Sequence, residues 1–271
     1  MTSTLCFIGG GNMARSLIGG LLAQGTPASQ LRVSDPVTAQ RDALREQFGV
    51  ATFADNLQAA TNADVIILAV KPQEMRNVIT TLAPALSQQP LLISVAAGIR
   101  ASDINHWSGD LPVVRCMPNR PALQGCGMTG LFATAGVGDA HRKLAADILS
   151  AVGATVWLEQ ESQMDAVTAV SGSGPAYFFL LIEMLEQAGI ALGLPAEVSH
   201  QLAVETAYGS GRMAREASES PATLREQVTS KGGTTAAALQ VLEQGNVRDI
   251  FAAAIAAAAK RSAELAEQFG D

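Results

Sequence analysis

The chain has 271 residues, enough for two modest domains with substantial cores. Its apolar content of 48% against 16% charged residues excludes a disordered chain, and a net charge of −7 argues against an extended nucleic-acid surface. Three cysteines (Cys6, Cys116, Cys126) form an odd set without metal-ligand spacing, which fits reduced thiols in a cytoplasmic protein better than a disulfide frame.

The first strand is expected over residues 4–8, so early that no signal peptide is expected before it. It runs straight into Gly9, Gly11 and Ala14 at GxGxxA spacing, followed by an amphipathic segment over 13–22. That order suits a strand, a tight turn and a helix N-terminus that binds a dinucleotide pyrophosphate. Gly9 permits the turn, Gly11 lets backbone N–H groups approach phosphate, and Ala14 lets the helix pack close to the strand. A second strand over 31–34 delivers Asp35, 21 residues after Ala14, where a carboxylate bonds a ribose 2′-hydroxyl and repels a 2′-phosphate. Further strands are expected over 65–70, 91–95, 113–117 and 154–158, with a short extra one over 130–132. Helical patterns over 37–48 and 73–82 separate them. Alternation of this kind predicts an α/β N-terminal Rossmann-like doubly wound parallel sheet.

From about residue 161 the strand signal stops. A helix over 177–189 ends in Gly189, Pro195 opens the next, and Ser220–Pro221 pairs an N-cap with proline at the first helical position. Helices over 236–244 and 246–269 follow. The expected division is a dinucleotide-binding domain over 1–160 and an all-α domain over 161–271. Small residues recur on the later helices (Ala203, Ala207, Gly209, Gly211 and most of 252–259), so close helix approach is expected, with a second copy interleaved to complete a core. The apolar stretch 250–259 is half a membrane span and reads as a buried Ala-rich helix.

Ligands of open α/β sheets bind beyond the carboxyl ends of the strands. Two such loops follow the glycine turn: AVKPQ over 69–73 and SVAAG over 94–98. A nicotinamide along them would meet Val70, Lys71, Ala96 and Ala97, although Lys71 also reads as a surface lysine. RCMPNRPAL over 115–123 is either a sharp turn over the same face or a rigid connector. SGSGPAYFF over 171–179 either lines a ligand or permits close helix packing. In VTSKGGTT over 228–235, Gly232 and Gly233 break one helix and Thr234–Thr235 start the next. Free N–H donors beside three hydroxyls make a carboxylate site; plain N-capping is the competing reading. The scattered His106, His141 and His200 read as solvated or structural, and no Ser–His–Asp or metal-ligand constellation is visible.

The segments FIGGGNMA, AVKPQ, RCMPNRPAL with GMTGL, DAVTAVSGSGPAYFFLLIEML and VTSKGGTTAAALQVLE resemble the pyrroline-5-carboxylate reductase family from end to end. The resemblance implies a Rossmann domain followed by a helical dimerisation and substrate-binding domain, assembled as a dimer or a higher homo-oligomer. It implies the last step of proline biosynthesis: reduction of L-1-pyrroline-5-carboxylate to L-proline with NADP(H) or NAD(H). By matching position it assigns cofactor contacts to Ile8, Gly9, Gly10, Gly11, Asn12, Met13, Ser34, Asp35, Asn56, Ala69, Val70, Lys71, Pro72, Val95, Ala96 and Ala97. It assigns substrate contacts to Glu161, Ser230, Gly233, Thr234 and Thr235, with Thr235 at the proposed proton-donor position. The chain departs from many members at Lys231, where proline is usual, and at Arg120, where threonine is usual.

Two rivals share the glycine turn. A β-hydroxyacid dehydrogenase resembling the 6-phosphogluconate type would need a lysine on the first helix of the second domain, and residues 165–185 contain none. A non-catalytic dinucleotide sensor would need the turn but not the TSKGGTT loop. Asp35 favours NAD(H), whereas the family often prefers NADPH and accepts both.

Overall fold

The computed structural model describes residues 3–270. They form two compact units: one comprises the chain through Ser173 together with the segment from Ala258 onward, and the other is Gly174–Ala257.

Among the described residues the first unit holds one sheet of eight strands: β1 Leu5–Ile8, β2 Leu31–Ser34, β3 Ala51–Phe53, β4 Val65–Leu68, β5 Leu91–Ser94, β6 Val113–Met117, β7 Gly127–Ala133 and β8 Gly153–Trp157. Their order is β3-β2-β1-β4-β5-β6-β7-β8, and β3 through β6 pair in parallel. Every residue of β1, β4 and β5 is buried, because helices cover both faces. These helices are α1 Asn12–Ala23, α2 Thr38–Phe48, α3 Asn56–Ala60, α4 Met75–Thr81, α5 Ala83–Leu86, α6 Ala101–Trp107, α7 Asp139–Ser150 and α8 Gln163–Val167. On one face Phe7 and Ile67 pack with Leu17 and Leu21 of α1 and Ile148 of α7. On the other, Ile8 and Leu68 pack with Ile79 of α4 and Ile104 of α6. Each such side chain contributes roughly 1.5–3 kcal/mol on burial.

The second unit is helical: α9 Gly174–Ala191, α10 Ala196–Glu216, α11 Pro221–Gln227, α12 Thr234–Gln244 and the first part of α13 Val247–Gly270, whose last turns belong to the first unit. A five-residue π turn, Thr168–Gly172, precedes α9.

Several elements differ from the sequence expectation. β3 is additional; it is a three-residue edge strand with an exposed start, too short to show a period. The sheet is not wholly parallel, because β7 pairs antiparallel to β6 and parallel to β8. β4 and β5 stop at Leu68 and Ser94, so Ala69, Val70 and Val95 lie in loops. The expected helix over 73–82 opens as a 3-10 turn, Pro72–Glu74, before α4. Gly189 does not end α9. A Cβ there would run into Ser199 Oγ, which donates to Glu186 O at 2.7 Å, so Gly189 serves close packing of α10 on α9. The chain turns instead at Gly193, with φ +96°. The Ala-rich run over 252–257, expected to be buried, is mostly exposed in the single chain.

Candidate cofactor and substrate sites

The glycine turn lies at the carboxyl end of β1. Gly9 has φ +99°, donates its N–H to Ser34 O at 2.8 Å, and a Cβ there would sit 2.6 Å from Ala69 O. Only glycine meets both demands. Gly11 is the N-cap of α1; no side chain caps it, and nothing lies within 4 Å of its Cβ position. The first-turn N–H groups at Asn12 and Met13 therefore lie at a helix N-terminus with no capping side chain, an arrangement that fits a pyrophosphate. Ala14 is fully buried against the sheet.

Around this turn, Ser34 is buried and its Oγ donates to Asn56 Oδ1 at 2.7 Å. A cleft of about 510 Å³ runs along Gly9, Pro36, Asn56, Val70 and Asn77. Ala69 N–H donates to Ile8 O and Val95 N–H to Leu68 O, which hold the next two loops at the same end of the sheet. Lys71 is exposed, and Pro72 follows as the first residue of a 3-10 turn. Ala96 N–H reaches Ser94 Oγ at 3.4 Å, and Ala97 is exposed. Gly98 has φ +75°, and its Cβ position lies 3.3 Å from the Phe269 ring. These residues fit a dinucleotide: donors at the helix start, a cleft beside the second strand, and small side chains where a flat ring must approach.

Asp35 is engaged otherwise than its position in the sequence suggests. Its Oδ2 accepts from Gly10 N–H and its Oδ1 from Val37 N–H, each at 2.9 Å. Glu161 is likewise committed within the first unit. Its Oε1 accepts from Arg115 Nη1–H at 2.9 Å and from Ala101 N–H at the start of α6. Arg115 is 5% exposed, so this pair holds a cation that has left water. Beside it, burial pushes the Asp103 carboxyl above the usual carboxylate range, opposed by the backbone and charge of Arg100. Neither the Arg115 pairing nor the burial of Asp103 has a signature in spacing.

Of the connector over 115–123, Asn119 donates to Ser171 Oγ at 3.2 Å and accepts from Met128 N–H at 2.9 Å. It therefore fixes its own turn, while Arg120 is exposed at the start of the following 3-10 turn. Cys6 and Cys116 are buried free thiols; burial pushes the Cys6 thiol up to about 12 and raises Cys116 as well. Neither is poised as a nucleophile. Among the described residues no group of three or more His, Cys, Asp or Glu residues is placed to hold a metal.

In the second unit, Gly232 takes φ +73° and Gly233 is the N-cap of α12, which opens at Thr234, two residues before the apolar pattern over 236–244 and where the sequence predicts that Thr234–Thr235 start it. No side chain caps this helix. The first-turn donors are thus not taken up by Thr234, Thr235 or Ser230, as plain N-capping requires. Gly233 N–H donates to Ser230 O at 3.0 Å, and a Cβ on Gly233 would collide with Ser230 Oγ, so this glycine lets Ser230 fold over the helix start. Ser230, Lys231 and Thr234 are exposed and Thr235 is half-buried. An open helix N-terminus, three neighbouring hydroxyls and one lysine are groups that suit an anion.

Comparisons with known proteins match both parts of the chain. The pyrroline-5-carboxylate reductase dimerisation family matches residues 161–265, and a family described as coenzyme F420-dependent NADP oxidoreductase matches residues 4–98. A pyrroline-5-carboxylate reductase of Pseudomonas aeruginosa is 49% identical over 99% of both chains. The solved structure of a pyrroline-5-carboxylate reductase from Coxiella burnetii superposes with a TM-score of 0.94 at 43% identity, covering 98% of this chain and 99% of that one. A Plasmodium falciparum pyrroline carboxylate reductase with NADP bound gives a TM-score of 0.86 at 29% identity over 98% of each chain.

Proposed function

The chain belongs to the pyrroline-5-carboxylate reductase family, and on that premise we propose that it reduces L-1-pyrroline-5-carboxylate to L-proline, the last step of proline biosynthesis, with NAD(P)H. The observation that carries this reading is the pairing, in one chain, of an open glycine turn with the uncapped helix start at Gly233. A dinucleotide sensor has no use for the second feature.

Residues Ile8 to Met13, Ser34, Asn56, Ala69 to Pro72 and Val95 to Ala97 hold the cofactor, and Asp35 supports the turn they form. When bound, the reduced nicotinamide supplies the hydride. The hydride adds to the imine carbon, the C=N π pair moves to nitrogen, and nitrogen takes a proton. Protonation before transfer makes the carbon electrophilic, so no strong acid is required of the chain. Ser230, Gly233, Thr234, Thr235 and the N-terminus of α12 anchor the substrate carboxylate. The Thr235 hydroxyl is a poor acid; it orients the ring nitrogen or relays a proton from water. Glu161 acts through its charge and its hold on Arg115 and α6.

Homo-oligomerisation follows the dimerisation match, and the exposed apolar faces of α9 and α10 support a dimer built on this unit. The segment Gln163–Ala191 is long and apolar enough to cross a membrane by length and composition. It lies within the dimerisation match, and burial against a second copy accounts for its apolarity. A cytoplasmic enzyme with no nucleic-acid or membrane partner is the reading consistent with the charge and the free thiols. The test is NADPH or NADH oxidation by purified protein with pyrroline-5-carboxylate, with proline quantified. Absence of proline with both cofactors at saturating imine refutes the reading.

A further inference from the structure

The loop after β2 points to a division of labour at the adenosine end of the cofactor. We propose that Arg41 is the residue through which this chain accepts the 2′-phosphate of NADP(H), while Asp35 braces the glycine turn instead of reading the ribose. The proposal rests on the nicotinamide-cofactor reading above.

Asp35 directs one carboxylate oxygen at Gly10 N–H and the other at Val37 N–H. Its charge is therefore held against two backbone dipoles at the turn. Arg41 folds back from the first turns of α2 onto the same loop. Its Nη1 donates to Asp35 O at 2.8 Å and to Pro36 O at 3.0 Å, and its Nη2 donates to Thr38 Oγ1 at 3.0 Å. A guanidinium has five N–H donors. Three are used here, and Nε–H and one Nη2–H remain. The loop so clasped includes Pro36, which lines the 510 Å³ cleft together with Gly9 and Asn56. In this fold class the end of the second strand is where the adenosine ribose is read, by an acid for a hydroxyl or by a nearby arginine for a phosphate. Here the acid is engaged by backbone and the arginine is fixed by three bonds with two donors to spare. A planar fork held in advance suits a phosphate dianion and adds little for a neutral hydroxyl.

The test is equilibrium binding by calorimetry of NADP⁺, NAD⁺, adenosine 2′,5′-bisphosphate and 5′-AMP to wild type, Arg41→Ala, Arg41→Lys and Asp35→Asn, with circular dichroism to confirm folding. Arg41→Ala is expected to weaken NADP⁺ and the bisphosphate about tenfold or more, with NAD⁺ and AMP within about twofold. Arg41→Lys, which keeps the charge but not the fork, should fall between. Asp35→Asn should weaken NADP⁺ and NAD⁺ alike. Equal losses for both cofactors in Arg41→Ala, or no loss, overturn the proposal. A loss confined to NAD⁺ in Asp35→Asn overturns it too, by restoring Asp35 as the ribose reader. Failure of wild type to bind either cofactor removes the cofactor reading itself, and this proposal with it.

Discussion

The sheet unit and the helical unit treat their large apolar side chains in opposite ways. In the first, Phe7, Leu17, Ile67 and Ile148 are fully buried by helices of the same chain. In the second, Phe178 is 65% exposed and Leu192 87%, and Leu181, Leu202, Tyr208 and Phe251 are exposed with them. The buried residues of α9 are only Gly174 and Pro175, and those of α10 only Ser199 and Ala203. Apolar surface of that extent needs a partner surface in water. The stability of the sheet unit is therefore a property of one chain, whereas that of the helical unit depends on protein concentration.

The largest expected effect breaks this comparison directly. Charging the exposed face, as in a Phe178→Asp, Leu181→Asp double variant, should dissociate the oligomer and abolish cooperative unfolding of the helices, because two carboxylates cannot be buried unpaired. Sedimentation and circular dichroism at micromolar concentration read the outcome. A wild-type chain that is monomeric and stably folded under those conditions contradicts the comparison.

The matching change in the sheet unit is Gly9→Ala. The new methyl meets Ala69 O at 2.6 Å from a backbone at φ +99°, so the turn must move. Cofactor affinity should fall by about a hundredfold or more, the order expected when an oriented anion site is lost, while the oligomer persists. Calorimetry with NADP⁺ and sedimentation of the same sample separate the two effects. Unchanged cofactor affinity would show that the turn is not the pyrophosphate site.

A smaller effect sharpens the role of the helical unit. If the helix start at Gly233 holds the substrate carboxylate, its donors act on ground state and transition state alike, and losing one raises KM more than it lowers kcat. Thr235→Ala should cost roughly 1.5–3 kcal/mol in kcat/KM, mostly through KM, with weaker competitive inhibition by proline. Thr235→Ser should largely retain both. A loss confined to kcat would instead support direct proton delivery by the hydroxyl, and unaltered kinetics would remove Thr235 from the site.

The same contrast explains what the sequence could tell. Buried strands such as Val65–Leu68 and the turn at Gly9 are legible because their patterns come from contacts within one chain. The edge strand Ala51–Phe53 is too short to show a period, and the reversed direction of β7 leaves no trace in composition. Gly189 imitates a helix stop because glycine also serves close packing, here beneath Ser199. The Ala-rich run over 252–257 looks like core and is mostly exposed in one chain, since the surface that would cover it is not in that chain. In the sites, the uncapped start of α12 follows from Gly–Gly–Thr–Thr, but the engagement of Asp35, Arg41 and Glu161 with their neighbours depends on where three-dimensional packing leaves each polar atom.

The smallest effect concerns a carboxyl inside the sheet unit that packing treats poorly. Asp103 Oδ2 is buried without a hydrogen-bond partner, close to Gly270 at the end of α13. Burial raises its pKa, with Glu161 acting in the same direction and Arg100 and Arg115 against it. The folded protein therefore takes up this proton at a higher pH than the unfolded chain, whose aspartate titrates near ~3.9. As pH falls through the raised folded value, the folded state binds more protons than the unfolded state, and the contribution of Asp103 to stability increases until both forms are protonated. Above that window the ionised group is a constant burden. Asp103→Asn should lift the burden and stabilise the neutral-pH protein, by less than about 1 kcal/mol because the residue as a whole is only partly buried and solvent screens its charge. The difference from wild type should vanish at pH values below the ordinary aspartate range. Thermal melts of both proteins at one concentration across pH 3 to 8 check this. A variant less stable than wild type at neutral pH would mean that the attraction of Arg100 and Arg115 outweighs desolvation, and that Asp103 belongs to the same cation-holding group as Glu161.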